Sequence, residues 1–586
     1  MTLAIILLLI FSCAVSGQYY LRGEVKDEKG NLLPGVRIYL YSKGTIPFFT
    51  GDNGSFGIPS PMKVDTIKLC MEGFDTLRVP VNTQQFQSLK MKMLSAYAKQ
   101  MKSRLASVTK NLSGQEEISF FSVFGESYSN LLENGFVNAD KYPETGFALN
   151  IDRASYSNMR RFLNNGMNVP SDAVRIEEML NYFSFRNLNT DKDAKQFTYN
   201  SQLTSCPWNK DNQLLFLNLN APKLNLDKVP PTNLVFLIDI SGSMDKPNRL
   251  PLLQSAFKLL TENLRALDTI SIVTYGGGVA VALSPTCGKE KDKINRVIDS
   301  LVADGDTPGE GAIRLAYSVA KRAFIATGVN RVILATDGDF NVGQSSERQL
   351  EDMISFQRQS GIFLTCLGVG MGNYKDSKLE TLAKKGNGNF AYLDNIAEAE
   401  KVMVTEFTKT VYNVAEDSYL TVNFNPATVG KYRLIGFDNK KDAIIDNSSE
   451  LEGGEIGSGH SMMVIFEIEP PAATSIPTAG NTIGKIVLQY KSVPDGQTVK
   501  QNFEIPYVLK DFATVDDNYR FAASVAMFGC LLRQSKYTKN YTFSDVLQIA
   551  LPAINPTNYS QQEFLTLVQK ADKIYNPKKK RKDKDQ

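Results

Sequence analysis

The sequence predicts a multidomain protein of α/β and β class. A doubly wound, mostly parallel sheet is inserted in a β-sandwich, a separate β-sandwich lies N-terminal, and helices close the chain. Three observations predict this. Between 232 and 410, short apolar runs alternate with stretches of helical period, the pattern of parallel strands joined by right-handed crossovers. Strand-like segments lie on both sides of that core, at 196–219 and 419–490, so both flanks can build one sandwich. Residues 19–95 break into short alternating strands punctuated by Gly, Pro and Asn.

The elements follow in chain order. Residues 3–12 are apolar but too short to span a bilayer, and Val15-Ser16-Gly17 precede Gln18, which predicts a cleaved signal peptide over 1–17 and export to the periplasm or cell envelope. The run Ile-Phe-Ser-Cys13 also fits a loose lipoprotein box, so a lipid anchor at Cys13 stands as the alternative. No other segment has the composition of a membrane span. Cysteines 70, 206, 287, 366 and 530 are scattered and read as neither a disulfide framework nor metal ligands.

Residues 18–95 carry Pro34-Gly35, the alternating stretch 36–41 (Val-Arg-Ile-Tyr-Leu-Tyr) and the hairpin signal Asn53-Gly54. This pattern resembles the carboxypeptidase regulatory-like β-sandwich, which implies a spacer or docking module without an active site. Residues 96–145 turn polar and read as a linker. The flanking region 146–230 opens with helical periods at 151–163 and 174–183, the second with Ser171 and Asp172 as cap candidates, and returns to strands. The α/β domain spans 231–412, a β-rich flank 413–512, and a helical region 513–575. The basic tail 576–586 reads as a solvated end, with weak contact to anionic surfaces as the lesser reading.

Composition narrows the functions. Apolar content of 42% and charged content of 22% are ordinary for globular protein, and a net charge of +3 argues against a nucleic-acid binder. One histidine, His460, excludes His-cluster zinc catalysis and reads as structural. No Gly-x-Ser-x-Gly elbow or P-loop occurs. The expectation is a protein that is not an enzyme.

The informative motif is Asp239-Ile-Ser241-Gly-Ser243, directly after the buried-strand run 234–238 (Leu-Val-Phe-Leu-Ile). One carboxylate and two hydroxyls on a tight strand-end loop are hard oxygen ligands, suited to Mg²⁺, and strand-end loops are where open α/β sheets bind ligands. Thr307 lies before a helical run starting at 312, and the strand 331–336 ends in Asp337-Gly-Asp339. In this order and spacing the set resembles the metal-ion-dependent adhesion site of von Willebrand factor A domains. From about 146 to 570 the chain also resembles the bacterial YfbK-type von Willebrand factor A proteins. The matches are Ala154-Ser-Tyr-Ser-Asn-Met-Arg-Arg-Phe-Leu163, Arg175-Ile-Glu-Glu-Met179, Ala335-Thr-Asp-Gly-Asp-Phe-Asn-Val-Gly343, Tyr432-Arg-Leu-Ile-Gly436 and Gly454-Glu-Ile-Gly-Ser-Gly-His460. Asp152-Arg153 stands where that family usually has Asp-Thr, and the loop around Thr307 is more acidic than usual.

The resemblance implies that Ser241, Ser243 and Thr307 hold Mg²⁺ through hydroxyls, with Asp239 and Asp337 acting directly or through water. Mn²⁺ and Ca²⁺ suit the same donors. A coordination position is left for an acidic residue of a protein partner, which implies metal-dependent adhesion in the cell envelope. The alternative is a structural or assembly subunit of an envelope complex whose metal only rigidifies the loops. Asp245, Asp304, Asp306 and Asp339 read as solvated loop carboxylates or as tuners of the local field. Glycines 242, 305, 309 and 338 let the backbone approach an ion.

Overall fold

The structure is a computed structural model that describes residues 19–28, 30–44, 47–51, 53–71, 74–92, 104–108, 126–149, 152–185, 194–225, 228–305, 309–338, 347–372, 374–440, 450–451, 453–471, 482–493 and 495–576. The expected signal peptide, Cys13, Thr307, Asp306, Asp339 and the basic tail from 577 lie outside them. The chain divides into two compact units, residues 1–101 with 344–353 and residues 102–343 with 354–586.

In the first unit a three-stranded sheet (Ser55–Ser60, Tyr19–Lys26, Phe86–Lys90) and a four-stranded sheet (Phe48–Phe49, Arg37–Leu40, Val64–Cys70, Leu77–Asn82) share one core. Alternation decides which side chains enter it: Leu21, Val25, Ile38, Leu40, Ile58, Ile67 and Leu69 are buried while their neighbours point out. The Asn53-Gly54 turn forms, with Gly54 at φ +68°, but it is no hairpin. Phe48–Phe49 pairs with Arg37–Leu40 and Ser55–Ser60 pairs with Tyr19–Lys26, so the turn passes the chain between sheets. A turn dipeptide sets local direction; which strand then pairs is decided by where apolar faces are buried.

The second unit is built around a sandwich contributed by both flanks. One six-stranded sheet runs Val137–Asn138, Lys431–Ile435, Ser461–Glu469, Asn209–Asn220, Thr198–Cys206, Leu509–Lys510, and the other runs Thr498–Pro506, Thr482–Ser492, Asn413–Phe424, Glu144–Ala148, Ser107–Val108, with Gly454–Gly457 as its sixth strand on Asn413–Phe424. The α/β domain is thus an insertion between strands of shared sheets. Within Asn209–Asn220, residues 214–217 (Leu-Leu-Phe-Leu) read as a continuous apolar run because both faces of the strand are covered there. Leu215 and Leu217 face the sandwich core with Leu420, Val464 and Phe466, whereas Leu214 and Phe216 face a helical layer with Phe521 and Phe528. That layer gathers Ala154–Asn164, Ile176–Asn181, Asp517–Leu532, Phe543–Ala550 and Tyr559–Tyr575. Thr542 and Asp545 form a reciprocal capping box that starts Phe543–Ala550. Among the described residues no helix is long and apolar enough to cross a membrane.

Two further expectations need correction. Part of the expected linker over 96–145 is sheet: Arg104–Leu105 pairs with Glu450–Leu451, Leu131–Leu132 with Asn439–Lys440 and Val137–Asn138 with Lys431–Ile435. Two-residue strands carry no period, and partners such as Asn439, 333 residues from Ala106, are supplied only by the fold. Ser171 and Asp172 do not cap a helix; Ser171–Ala173 is a 3₁₀ turn, and Ile176–Asn181 starts at Arg175 without a side-chain cap.

The inserted sheet comprises β1 (Thr232–Asp239), β2 (Thr269–Tyr275), β3 (Val279–Cys287), β4 (Val329–Thr336), β5 (Ile362–Val369) and β6 (Phe390–Leu393), in spatial order β3-β2-β1-β4-β5-β6. All pairs are parallel except β2–β3. β1 is central and buried along its whole length. The β6 edge is covered: Asp152 accepts from Phe390 N at 2.9 Å, and Ser157 Oγ donates to Tyr392 O at 2.7 Å.

Candidate functional site

Register positions the site. Asp239 pairs with Tyr275, and Ile238 with Ala335, so the C-terminal ends of β1, β2 and β4 come level and Thr336 lies beside Asp239. Such strand ends form the crevice where α/β sheets bind ligands. Asp239 is fully buried, and each oxygen has work: Oδ1 accepts from Ser241 N at 2.9 Å, and Oδ2 from Thr336 Oγ1 at 2.9 Å and Tyr275 Oη at 3.2 Å. Burial pushes its carboxyl above the usual range, opposed by the bonds from Ser241 and Thr336 and reinforced by the charge of Asp337. The same burial, with the Asp239 charge, raises Tyr275 well above the ordinary phenol value and keeps its proton available to donate.

The hydroxyls bridge the two carboxylates. Ser241 Oγ and Ser243 Oγ lie 3.2 Å apart, and Ser243 Oγ donates to Asp337 Oδ2 at 2.8 Å. Four of the five expected ligands, Asp239, Ser241, Ser243 and Asp337, therefore form one hydrogen-bonded group. Thr307 lies outside the described residues. The loop leading to it is tied down as far as Gly305, since Asp304 N donates to Ile240 O at 2.7 Å and Gly242 N to Gly305 O at 2.9 Å. Gly305 sits at φ +76°, and a Cβ there would fall 2.2 Å from Gly277 Cα, so only glycine brings the backbones this close.

Arg249 is one residue that sequence reasoning missed. Its Nη1 lies 2.5 Å from Asp337 Oδ2 and 2.6 Å from Ser243 O, and its Nη2 is 2.8 Å from Met371 O. No motif spacing announces it. Thr336 and Tyr275 were also missed, although each ends a strand beside the motif. Asp245 and Asp304 are exposed, which favours their reading as solvated loop carboxylates.

The donor set suits a hard divalent cation. Two carboxylates and two hydroxyls are all oxygen, and among the described residues no group of three or more His, Cys, Asp and Glu is arranged to hold a metal. His460 is buried far from this role, in the second flank after Gly454–Gly457, with both ring nitrogens unpartnered.

Comparison with known proteins matches three family profiles. One described as von Willebrand factor type A domain covers residues 234–339, one described as von Willebrand factor covers 122–216, and one described as Uncharacterized protein YfbK, C-terminal, covers 409–574. The chain is similar to YfbK of Escherichia coli (strain K12), 37% identical over 477 residues that cover 76% of this chain and 81% of that protein. It is similar to mouse inter-alpha-trypsin inhibitor heavy chain H2 at 24% identity over 291 residues, 48% of this chain and only 28% of H2. The structure described as von Willebrand factor type A from Catenulispora acidiphila aligns with a TM-score of 0.38 at 13% identity, over 65% of this chain and 92% of that one. On the extent and identity of its match to YfbK, with the type A domain profile lying over β1 to Asp339, the chain belongs to the YfbK family of von Willebrand factor type A domain proteins.

Proposed function

We propose that this protein is a divalent-cation-dependent protein-binding module of the cell envelope, which captures an acidic residue of a partner at the β1–β4 strand ends. One observation carries the reading: Asp239, Ser241, Ser243 and Asp337, from two loops 94 residues apart, converge as one oxygen cluster at the mouth of a parallel sheet. Those four side chains would hold the cation, with Thr307 as the fifth donor. A bound Mg²⁺ supplies an electrophilic position for a carboxylate that the two aspartates would otherwise repel. The protein's part is positional. Tyr275, Thr336 and Ser241 N hold Asp239, so its orientation does not depend on the ion.

Magnesium titration calorimetry on the wild type, Asp239→Ala and Asp337→Ala tests the reading, together with crosslinking capture from envelope fractions with and without EDTA. Uptake and capture lost in both variants support it. The interlocked hydrogen bonds of the loops favour a second reading, in which the ion only rigidifies an assembly subunit. In that case EDTA lowers the melting temperature and leaves capture intact. The absence of heat with Mg²⁺, Mn²⁺ and Ca²⁺ sinks both.

A further inference from the structure

The candidate site already contains a cation. Arg249 is 5% exposed, and its guanidinium joins three segments that are distant in sequence: the Ser243 loop, the Asp337 loop and the turn after β5. Asp337 Oδ2 is the shared atom, accepting from both Ser243 Oγ at 2.8 Å and Arg249 Nη1 at 2.5 Å. The path of the side chain is built in, because Gly370, at φ +77°, leaves room where a Cβ would lie 2.5 Å from Arg249 Nε. Any other residue there would push the guanidinium off its course.

We propose that Arg249 is a resident competitor for the divalent ion, one that weakens cation loading and in return leaves the loaded site positively charged for an acidic partner. The inference rests on the divalent-cation reading above and deepens it. The charge count supplies the reason. Asp239 and Asp337 give −2, and Arg249 brings the site to −1. A divalent ion then leaves +1, where the two aspartates alone would leave a neutral site. A guanidinium bonded to one of the ion's own carboxylates repels the ion at short range in a low-dielectric setting. The same excess charge favours a carboxylate from outside.

The arrangement also gives loading a route outward. Met371 O accepts from Arg249, and the next residue's amide, Gly372 N, donates to Glu126 Oε1 at 3.0 Å. Glu126 is held by Arg161 through two bonds of 2.7 and 2.8 Å, and Arg161 belongs to the helix Ala154–Asn164. Weakening the hold of Arg249 on Asp337 therefore loosens a turn strung between the site and the helical layer.

The test is calorimetric titration of the full chain with MnCl₂ and with MgCl₂, comparing wild type, Arg249→Gln and Arg249→Lys. Arg249→Gln is expected to bind Mn²⁺ about tenfold more tightly than wild type, and Arg249→Lys, which keeps the charge, to stay within about threefold. Equal or weaker binding by Arg249→Gln, with wild-type uptake intact and lost in Asp239→Ala, overturns the proposal and leaves the function standing, with Arg249 reduced to a clamp. No uptake by any variant overturns both. Should Arg249→Gln fail to fold, hydrogen exchange on the wild type decides: Mg²⁺ is expected to speed exchange at the Gly372 amide, and an unchanged rate overturns the proposal.

Discussion

Arg160 and Asp394 form a buried two-pronged ion pair, Nε to Oδ2 at 2.7 Å and Nη2 to Oδ1 at 2.5 Å. The same guanidinium reaches Glu398 at 2.7 Å and Glu563 at 2.8 Å, and donates to Tyr182 Oη at 2.9 Å. One side chain on the flanking helix thus holds the end of the inserted domain and the last helix of the chain together. A planar fork with five donors can grip one carboxylate through two parallel bonds and still reach others, which a lysine ammonium cannot.

Arg160→Met should lower the unfolding free energy by about 3–5 kcal/mol, because Asp394 and Glu398 would be left as uncompensated buried charges. Arg160→Lys should fall between that variant and wild type. Urea denaturation followed by circular dichroism measures both. A loss under about 1 kcal/mol in the Met variant would show that the network carries little of the stability.

His460 predicts a pH dependence, and its sign follows from its surroundings. Burial holds the imidazole well below its ordinary value, and the charges of Arg153, Lys409 and Lys401 push the same way. The unfolded chain therefore takes up a proton below about pH 6.5 that the fold does not, so this contribution to stability is lost as pH falls from 6.5 toward the folded value, by up to about 1.4 kcal/mol per unit. His460→Asn should flatten the fall in urea midpoints between pH 7.5 and 5. With one histidine in the chain, parallel curves for the two proteins would refute the assignment.

Gly305→Ala should push the loop leading to Thr307 off the turn between β2 and β3 and strain its bond to Gly242 N. The residue sits at φ +76°, and the added Cβ would lie 2.2 Å from Gly277 Cα. A stability loss of about 1–3 kcal/mol is expected, with divalent uptake weakened at the same time. Gly278→Ala meets nothing within 4 Å and is the neutral control. Similar melting temperatures and calorimetric isotherms for the two variants would count against the close approach.

Thr336→Val should harm the site more than Tyr275→Phe. Thr336 Oγ1 donates to Asp239 Oδ2 at 2.9 Å and accepts from Gly338 N at 3.2 Å, whereas Tyr275 Oη reaches the same Asp239 oxygen at the longer 3.2 Å. Leaving Gly338 N without that partner as well should put the Val variant about 1–3 kcal/mol down and the Phe variant about 1 kcal/mol. Thermal unfolding ranks the pair, and the reverse order would reassign the support of Asp239.

Much of this was legible because it is encoded locally. The alternation of β1, β2, β4 and β5 with helices follows from apolar runs separated by stretches of 3.6 period. The insertion follows from strand patterns on both sides. Asp239, Ser241 and Ser243 stand within five residues, so their nearness to one another needs no tertiary information. Asp337 could be matched with them because it too ends an apolar run. The Asn53-Gly54 turn shows the limit: its conformation is local, but the pairing of the strands beside it is not.

What the sequence determined by itself, then, is the class of the longer elements and which loops carry oxygen ligands, since period and turn chemistry act within a few residues. Tertiary structure alone decided that Arg249 would lie on Asp337, that Tyr275 and Thr336 would hold Asp239, that two-residue strands at 131–138 would pair beyond residue 430, and that Arg160 would gather three carboxylates. Each of these depends on groups brought together across long stretches of chain, and buried polar groups find their partners only where packing has already placed them.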